Sequence, residues 1–317
     1  MSFEVKKLFK KYGEKVVVNE LSFEMKEPGV YALLGTNGAG KTTSIRMMLN
    51  MIAKDGGEVL WQGKPLNTEE TRVGYLAEER GLYPKYTLMD QLMYFAALKN
   101  VPKNEAKEKI RYWSKVLELD EYLYPELSGE ASKKRKKIKP MKADQLSKGN
   151  QQKIQLMAAL IDDPEILIFD EPISGLDPVN TDLFKNIIRQ EMEKGKYIIM
   201  SSHQMATVEE FCENITILNH GNAVLQGNLN EIKKGYGRVN LEIKCDDDFS
   251  ELITRFGLKV VEETPDKIML KVKGEDQARE FLSALISEGH QIVRFELREP
   301  SLHEIFVETV GGANEED

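Results

Sequence analysis

The sequence predicts an α/β protein followed by a smaller α+β domain, and three features carry this prediction. Val30–Leu34 is a short apolar run typical of a buried strand, whereas the apolar residues of Thr42–Ile52 recur with helical spacing. A glycine-rich segment lies between them, so a loop joins the strand to the helix. After Gly237 the pattern changes to short strands alternating with helices, in a chain of 317 residues that is long enough for more than one domain.

The glycine-rich segment reads Gly-Thr-Asn-Gly-Ala-Gly-Lys-Thr and fits the phosphate-binding pattern G-x-x-x-x-G-K-[ST]. Its glycines let backbone N–H groups turn towards phosphate oxygens, and the following helix adds the positive end of its dipole. Lys41 is placed to reach the β- and γ-phosphates of a nucleotide, and the Thr42 hydroxyl is placed to meet a magnesium ion. The predicted phosphate-binding residues are Gly35, Thr36, Asn37, Gly38, Ala39, Gly40, Lys41, Thr42 and Thr43.

Two carboxylates follow the next apolar strand, which covers Glu165 to Phe169. Asp170 is predicted to hold the metal through its water shell, and Glu171 to polarise an attacking water. A further strand from Tyr197 ends at His203. Upstream of these, Leu146-Ser-Lys-Gly-Asn150 is a polar turn whose Ser147 is predicted to cap the next helix.

From about Phe3 to Gln226, these motifs arrive in the order that resembles the ATPase subunits of ABC transporters. The resemblance implies an ATPase with ATP and Mg²⁺ as cofactors, and Lys41, Glu171 and His203 as catalytic residues. It implies that Tyr12 stacks on adenine. It also implies that the signature motif and the following loop complete the ATP site of another cassette, through Ser147, Gly149, Asn150 and Asp177.

Two departures from the common family pattern indicate a narrower branch. The signature reads Leu-Ser-Lys-Gly-Asn rather than Leu-Ser-Gly-Gly-Gln, and Glu78 stands where the family usually has glutamine. Glu78 is therefore predicted as a metal ligand with Thr42 and Asp170. Together with Glu299-Pro-Ser-Leu-His-Glu-Ile-Phe, these variants resemble the ATPases of ABC-2-type exporters, in particular the sodium-extrusion subgroup. The implied partners are ABC-2-type membrane permease subunits and a second cassette, either identical or related, at the cytoplasmic face of the membrane.

A stretch before the signature looks inserted. Leu127-Ser-Gly-Glu130 imitates a signature, but no Gln-Gln-Lys follows it. Lys133–Lys139 then carries six positive charges in seven residues, which favours a solvated surface loop. Contact with anionic lipid headgroups is the alternative, and contact with nucleic acid is a weaker one.

The predicted domains are an ATPase domain over 1–230 and a C-terminal accessory domain over 238–312. A helical subdomain is predicted over about 86–162, because Leu88–Leu119 has helical spacing. The C-terminal domain is predicted to contain strands at 239–244, 267–272 and 292–297, and helices at 249–255, 276–287 and 301–310. The segment Glu78–Tyr86 is predicted to edge a groove that receives a helix of the membrane subunit, with Leu82, Tyr83, Pro84 and Tyr86 as apolar anchors.

Composition narrows the function further. The net charge of −8 argues against a general nucleic-acid-binding role, and Cys212 and Cys245 lack metal-ligand spacing. No apolar run approaches membrane-spanning length, so work at a membrane is expected to need a partner. The alternative function is an ABC-type ATPase acting on ribosomes or nucleic acid, which the single phosphate loop disfavours. The transported substrate stays open, as does the choice between homodimer and heterodimer.

Overall fold

The computed structural model describes residues 2–79, 81–125 and 140–312. The chain divides into two compact units. The first contains the residues up to Gln204 together with Phe211–Leu225, and the second contains Met205–Glu210 together with the chain from Gln226 onward. The signature-like Leu127–Glu130 and the basic run Lys133–Lys139 lie outside the described residues.

The first unit is built from two sheets. Its strands are β1 (Phe3–Tyr12), β2 (Lys15–Met25), β3 (Gly29–Leu34), β4 (Gly56–Trp61), β5 (Lys64–Pro65), β6 (Val73–Leu76), β7 (Ile166–Asp170), β8 (Tyr197–Ser202), β9 (Asn214–Asn219) and β10 (Asn222–Asn228). One sheet has the order β2-β1-β4-β5 and the other the order β10-β9-β3-β8-β7-β6. In the larger sheet the pairings from β9 through β3, β8 and β7 to β6 are parallel, which confirms the predicted α/β class.

The helices of the first unit differ from the sequence predictions in two places. They are α1 (Lys41–Met48), α2 (Leu88–Leu98), α3 (Lys103–Val116), α4 (Asp120–Leu123), α5 (Lys148–Leu160) and α6 (Pro178–Glu193). The predicted helix to Ile52 is wrong at its end, because Asn50 adopts a left-handed φ of 54° after Met48. The predicted helical stretch Leu88–Leu119 contains two long helices, since Asn100 is left-handed (φ 58°) and a proline follows it two residues later.

Parallel pairing brings the functional segments to one edge of the larger sheet. Leu34 at the end of β3 is in register with Ser202 at the end of β8, and Asp170 at the end of β7 is in register with Ser201. The carboxyl ends of these strands therefore meet where open α/β sheets bind ligands. A core shared by both sheets holds this edge in place and includes stacked Phe23 and Tyr31 rings, 4.2 Å apart between centroids.

The second unit has a βαββαβ core. Its elements are α7 (Met205–Glu209), α8 (Leu229–Tyr236), β11 (Asn240–Cys245), α9 (Ser250–Arg255), β12 (Lys259–Thr264), β13 (Lys267–Lys271), α10 (Glu275–Ser287), β14 (Ile292–Arg298) and α11 (Leu302–Gly312). The antiparallel sheet has the order β12-β13-β11-β14, which is the arrangement of ferredoxin-like domains. β12 is not predicted by the sequence pattern, because this edge strand is exposed along most of its length and its register shifts between Val260 and Glu262.

One charge cluster is expected to stabilise the second unit in a pH-dependent way. Arg298 donates two hydrogen bonds of 2.8 Å to the Glu304 carboxylate, and the Ser301 amide and hydroxyl donate two more. Burial opposes ionisation of Glu304, but these hydrogen bonds outweigh it and lower its pKa to about 2 from 4.5. Because the pKa is lower in the folded state, the stabilisation is present above about pH 4.5 and is lost as the pH falls towards 2.

Replacing Glu304 by glutamine should therefore lower the free energy of unfolding of the second unit by about 2 kcal/mol at pH 7, and by much less near pH 3. Urea denaturation of the full chain, followed by circular dichroism, measures this. Trp61 and Trp113 are the two tryptophans of the chain and both belong to the first unit, so their fluorescence reports that unit separately. Glu308→Gln is the matched control, since exposed Glu308 meets Lys271 only at 3.9 Å. Equal effects of the two variants would contradict the prediction.

Candidate active site

The loop between β3 and α1 forms a cradle whose glycines are required by backbone conformation and, at Gly40, by close neighbours. Gly38 and Gly40 adopt φ values of 83° and 105°, a region that favours glycine. A Cβ atom on Gly40 would lie 2.6 Å from the carbonyl oxygen of Val17. The Lys41 ammonium is buried and donates hydrogen bonds to the carbonyls of Gly35 (2.7 Å) and Thr36 (3.2 Å). The cradle therefore presents backbone and a buried cation to a phosphate-sized ligand.

A surface cavity of about 460 Å³ opens on this cradle. Its lining residues are Lys15, Val17, Asn37, Gly38, Ala39, Gly40, Lys41, Thr42, Thr43, Glu78 and Glu171. The structure thus brings together the predicted residues from Asn37 to Thr43 with Glu78 and Glu171. The sequence analysis missed Lys15 and Val17, although Lys15 faces Tyr12 across the β1–β2 hairpin and could have been found from that pairing.

Tyr12 lies at the end of β1 and does not line this cavity. Its ring is 55% exposed, and the Lys10 ammonium lies 5.1 Å from the ring centroid. An exposed ring with a free face is able to stack on a base. The predicted adenine contact of Tyr12 stays a prediction.

Asp170 is fully buried beneath the cradle. Its Oδ1 accepts hydrogen bonds from the hydroxyls of Ser201 (2.5 Å) and Thr42 (3.2 Å). Its Oδ2 is buried and has no hydrogen-bond partner among the described residues. Burial raises the pKa of Asp170 despite these two hydrogen bonds. A buried carboxylate with one oxygen left over is suited to a cation or to water bound by a cation.

Glu171 is held at the centre of the site. Its Oε2 lies 2.8 Å from Nδ1 of His203, and its Oε1 lies 3.3 Å from the Lys41 ammonium without accepting a hydrogen bond. Its backbone adopts a φ of 50°, which is strained for a side chain other than glycine. Strain of this kind is concentrated at active sites, where surrounding contacts impose it.

Glu78 follows β6 and lines the cavity together with Glu171. Burial, followed by repulsion from Asp170 and Glu171, raises its pKa. The negative charges of Glu78 and Glu171 at the cavity, with Asp170 nearby, would be stabilised by a divalent cation.

The signature residues form a second group outside this cavity. Ser147 caps α5 by accepting a hydrogen bond from the Asn150 amide, which confirms the predicted cap. Asp177 caps α6 in the same way through the Asn180 amide. A Cβ atom on Gly149 would lie 3.2 Å from the Asn180 side chain, so the two helix starts are packed together. Ser147, Gly149, Asn150 and Asp177 therefore do not line the phosphate cavity of their own chain.

A parallel sheet with a phosphate cradle and two carboxylates at its carboxyl edge is the arrangement of P-loop nucleotide-binding proteins. Residues 18–174 match the model of the ABC transporter ATP-binding family. The chain is 42% identical over 307 residues to "Uncharacterized ABC transporter ATP-binding protein YhaQ" of Bacillus subtilis, covering 96% of this chain and 97% of that relative. We conclude that the chain belongs to the ATP-binding subunits of ABC transporters, a family of ATPases.

Three further likenesses refine this placement. Residues 227–310 match the model described as the C-terminal domain of ATP-binding proteins similar to DrrA1-3. "Nod factor export ATP-binding protein I" of Burkholderia orbicola is 31% identical over 241 residues, covering 75% of this chain and 72% of that relative. A solved structure described as the ATP-binding subunit of an ABC transporter superposes with a TM-score of 0.64 at 26% identity, covering 74% of this chain and 93% of that one. In the described ranges, no helix combines the length and apolar character needed to cross a membrane.

Proposed function

We propose that this chain hydrolyses ATP to drive an ABC-2-type exporter through separate permease subunits, working at the cytoplasmic face of the membrane. The proposal of ATP hydrolysis rests on Glu171, which is buried beside the phosphate cradle and held between Lys41 and His203. The exporter part is supported by the likeness to a Nod factor export protein and by the DrrA-like C-terminal match.

The residues of the site divide the chemistry among them. Lys41 exchanges its two carbonyl contacts for the β- and γ-phosphates of ATP. Water attacks the γ-phosphorus, the bond to the ADP oxygen breaks, and Glu171 accepts the proton that the water loses. His203 would orient Glu171 through Oε2 and contact the γ-phosphate, which its 2.8 Å contact with Glu171 supports.

The donor set of the site fits a magnesium ion. Thr42, Asp170 and Glu78 are the residues that would hold it, directly or through water, and the unpartnered Oδ2 of Asp170 supports this fit. Bound Mg²⁺ would neutralise the charge that develops on the phosphates. Hard cations of this kind take oxygen ligands from one or two carboxylates and from the substrate phosphates.

Assembly with a second cassette would give the signature residues a role. Ser147, Gly149, Asn150 and Asp177 lie outside the phosphate cavity of their own chain, which supports a contact with ATP bound to a second cassette. Two-fold pairing of two cassettes would make two equivalent composite sites from the same surfaces. We propose such a dimer, formed by a second copy or by a related subunit.

An exposed tyrosine surface is the proposed contact with the permease. It surrounds a cavity of about 470 Å³ and consists of Tyr83, Tyr86, Asp90, Gln91 and Tyr94. Gln91 is buried and fixes the loop, since its side chain accepts from the Tyr83 amide (2.8 Å) and donates to the Tyr86 carbonyl (3.1 Å). The prediction for Leu82 as an exposed anchor is wrong, because Leu82 is only 9% exposed and belongs to the core.

The rings of the tyrosine surface are available to a partner. Tyr83 and Tyr86 are 49% and 63% exposed, which speaks against the interpretation that they only pack subdomains together. Their ring centroids lie 5.8 Å apart in an edge-to-face arrangement. Rigid aromatic rings around a shallow cavity suit a helix of the permease inserted between them.

Replacing both Tyr83 and Tyr86 by alanine should uncouple transport from hydrolysis. We expect the ATPase of the isolated subunit to stay within about twofold of normal, and transport in reconstituted vesicles to fall about tenfold or more. The control is Tyr112→Ala, which removes a ring of similar exposure (53%) on α3 outside the tyrosine surface. Loss of basal hydrolysis or of folding in the double variant would favour a packing role instead.

Recovery of the permease tests the proposed function as a whole. Purification of the tagged chain from detergent-solubilised membranes should yield a multi-span membrane protein, and identification of that protein would also indicate the exported substrate. Recovery with ribosomes, without such a protein, would overturn the proposal.

A further inference from the structure

Ser201 is a buried serine that contacts the carboxylate of Asp170 and the backbone of Glu171. It lies at the penultimate position of β8, where an apolar strand from Tyr197 to Met200 gives way to two serines. Parallel pairing of β7 with β8 places it in register with Asp170. Its hydroxyl donates to Oδ1 of Asp170 (2.5 Å) and accepts from the backbone amide of Glu171 (3.0 Å).

The first contact determines which oxygen of Asp170 is available. Ser201 and Thr42 both donate to Oδ1, so this oxygen is occupied within the protein. Oδ2 is buried and has no partner among the described residues. A carboxylate oxygen without a donor in a buried site is costly unless a cation or water meets it. Turning the Asp170 carboxylate out of this plane would break the Ser201 contact, whereas a half-turn that exchanges its two equivalent oxygens would restore it.

The second contact holds the backbone of Glu171. This residue has a φ of 50°, and its amide would be a buried donor without an acceptor if the serine oxygen were absent. The carboxylate of Glu171 depends on this backbone, because its two oxygens face His203 and Lys41 in the present conformation. The Ser201 hydroxyl therefore links the carboxylate of Asp170, proposed to face the metal, to the backbone of Glu171, whose carboxylate is proposed to face the water.

We propose that Ser201 is a positioning residue for ATP hydrolysis, which turns Oδ2 of Asp170 towards the metal and fixes the backbone of Glu171. This inference rests on the roles proposed above for Asp170 and Glu171. If Ser201 had only a packing role, its replacement would affect stability and would change neither metal binding nor turnover.

The neighbouring serine provides a matched control. Ser202 is on the same strand and equally buried, but its hydroxyl accepts from the Gln204 amide (2.9 Å). Ser201→Ala and Ser202→Ala each remove one buried oxygen without adding volume, so both are expected to fold. Ser201→Thr retains the hydroxyl and suits a strand, so it is the conservative variant.

The experiment measures metal binding and turnover separately on the full chain. Electron paramagnetic resonance of Mn²⁺, used in place of Mg²⁺ with bound ATP analogue, gives metal affinity without any hydrolysis. Steady-state kinetics gives kcat and KM, and thermal denaturation gives Tm. We expect Ser201→Ala to weaken Mn²⁺ binding about tenfold and to lower kcat about 10- to 100-fold, the range expected for loss of one hydrogen bond to a charged group. Metal-free nucleotide binding should stay unchanged, and Ser201→Thr should restore most of both losses.

Two outcomes would overturn the proposal. In one, Ser201→Ala lowers only Tm and matches Ser202→Ala in Mn²⁺ affinity and kcat, which would assign Ser201 to packing. In the other, kcat falls but Mn²⁺ affinity does not, which would contradict the link to Asp170. The role of Glu171 is tested separately. Normal turnover of Glu171→Gln would show that Glu171 is not the base, whereas the Mn²⁺ affinity of Ser201→Ala would still test the link between Ser201 and Asp170.

Discussion

Replacing Glu171 by glutamine is expected to reduce ATP turnover by about 100-fold or more, while ATP binding is retained. Glutamine keeps the size of the side chain and can still meet His203 and Lys41, so the cradle should keep its shape. What is lost is the carboxylate that accepts a proton from the attacking water. Single-turnover phosphate release measures the chemical step, and titration with a fluorescent ATP analogue measures binding.

Lys41→Ala is the matched comparison for this prediction. Lys41 supplies the buried cation of the cradle, so its removal should weaken nucleotide binding itself rather than the chemical step alone. The two variants should therefore differ, because ATP binding is retained in Glu171→Gln and weakened in Lys41→Ala. Near-normal turnover in Glu171→Gln at full ATP occupancy would exclude Glu171 as the base.

Binding of ATP and magnesium should convert the Glu171→Gln protein into a dimer, and a charge reversal at Lys148 should abolish that dimer. Lys148 is exposed at the first position of α5, between the signature residues Ser147 and Gly149. In a two-fold assembly this helix start would face the phosphates of the other cassette, where a glutamate would repel them. We expect Lys148→Glu to raise the dimer dissociation constant about tenfold or more.

The design separates assembly from folding. Acidic residues are favourable in the first turn of a helix, so Lys148→Glu should not destabilise the monomer. Lys148→Gln removes the positive charge without adding a negative one and should have a smaller effect. Sedimentation velocity over a range of protein concentrations measures the dimer dissociation constant of each Lys148 variant, made in the Glu171→Gln protein. A protein that stays monomeric with ATP bound would indicate a related subunit as the partner, and a Lys148→Glu dimer of normal strength would contradict the proposed orientation.

Much of the active site could be predicted because the residues that define it lie in short segments of the sequence. The cradle from Gly35 to Thr42 needs small residues, a lysine and a hydroxyl at fixed spacing, since backbone geometry imposes them locally. The caps at Ser147 and Asp177 are equally local, because each side chain meets a backbone amide three residues later. Strand ends at Asp170 and Ser202 follow from apolar runs that stop at polar residues.

The elements that were missed or misplaced depend on distant parts of the chain. β12 is an exposed edge strand whose alternation is weak, so only pairing with β13 reveals it. Leu82 resembles an exposed anchor in sequence, but it is buried in the core. The exposure of Tyr83 beside it is likewise a property of packing, which no local pattern contains.

The sequence by itself indicated the family through the order of its motifs, and it predicted the phosphate cradle and the two carboxylates from segments of about ten residues whose spacing is set by backbone geometry. Only the tertiary structure decided how these segments meet. Parallel pairing of β7 with β8 brings Ser201 against Asp170 and Glu171 across thirty-one and thirty positions of sequence. The β1–β2 hairpin likewise brings Lys15 to the phosphate cavity, which is lined mainly by residues distant from Lys15 in the sequence. Such contacts are non-local, so the orientation of each carboxylate oxygen follows from the sheet register and not from the motif that contains it.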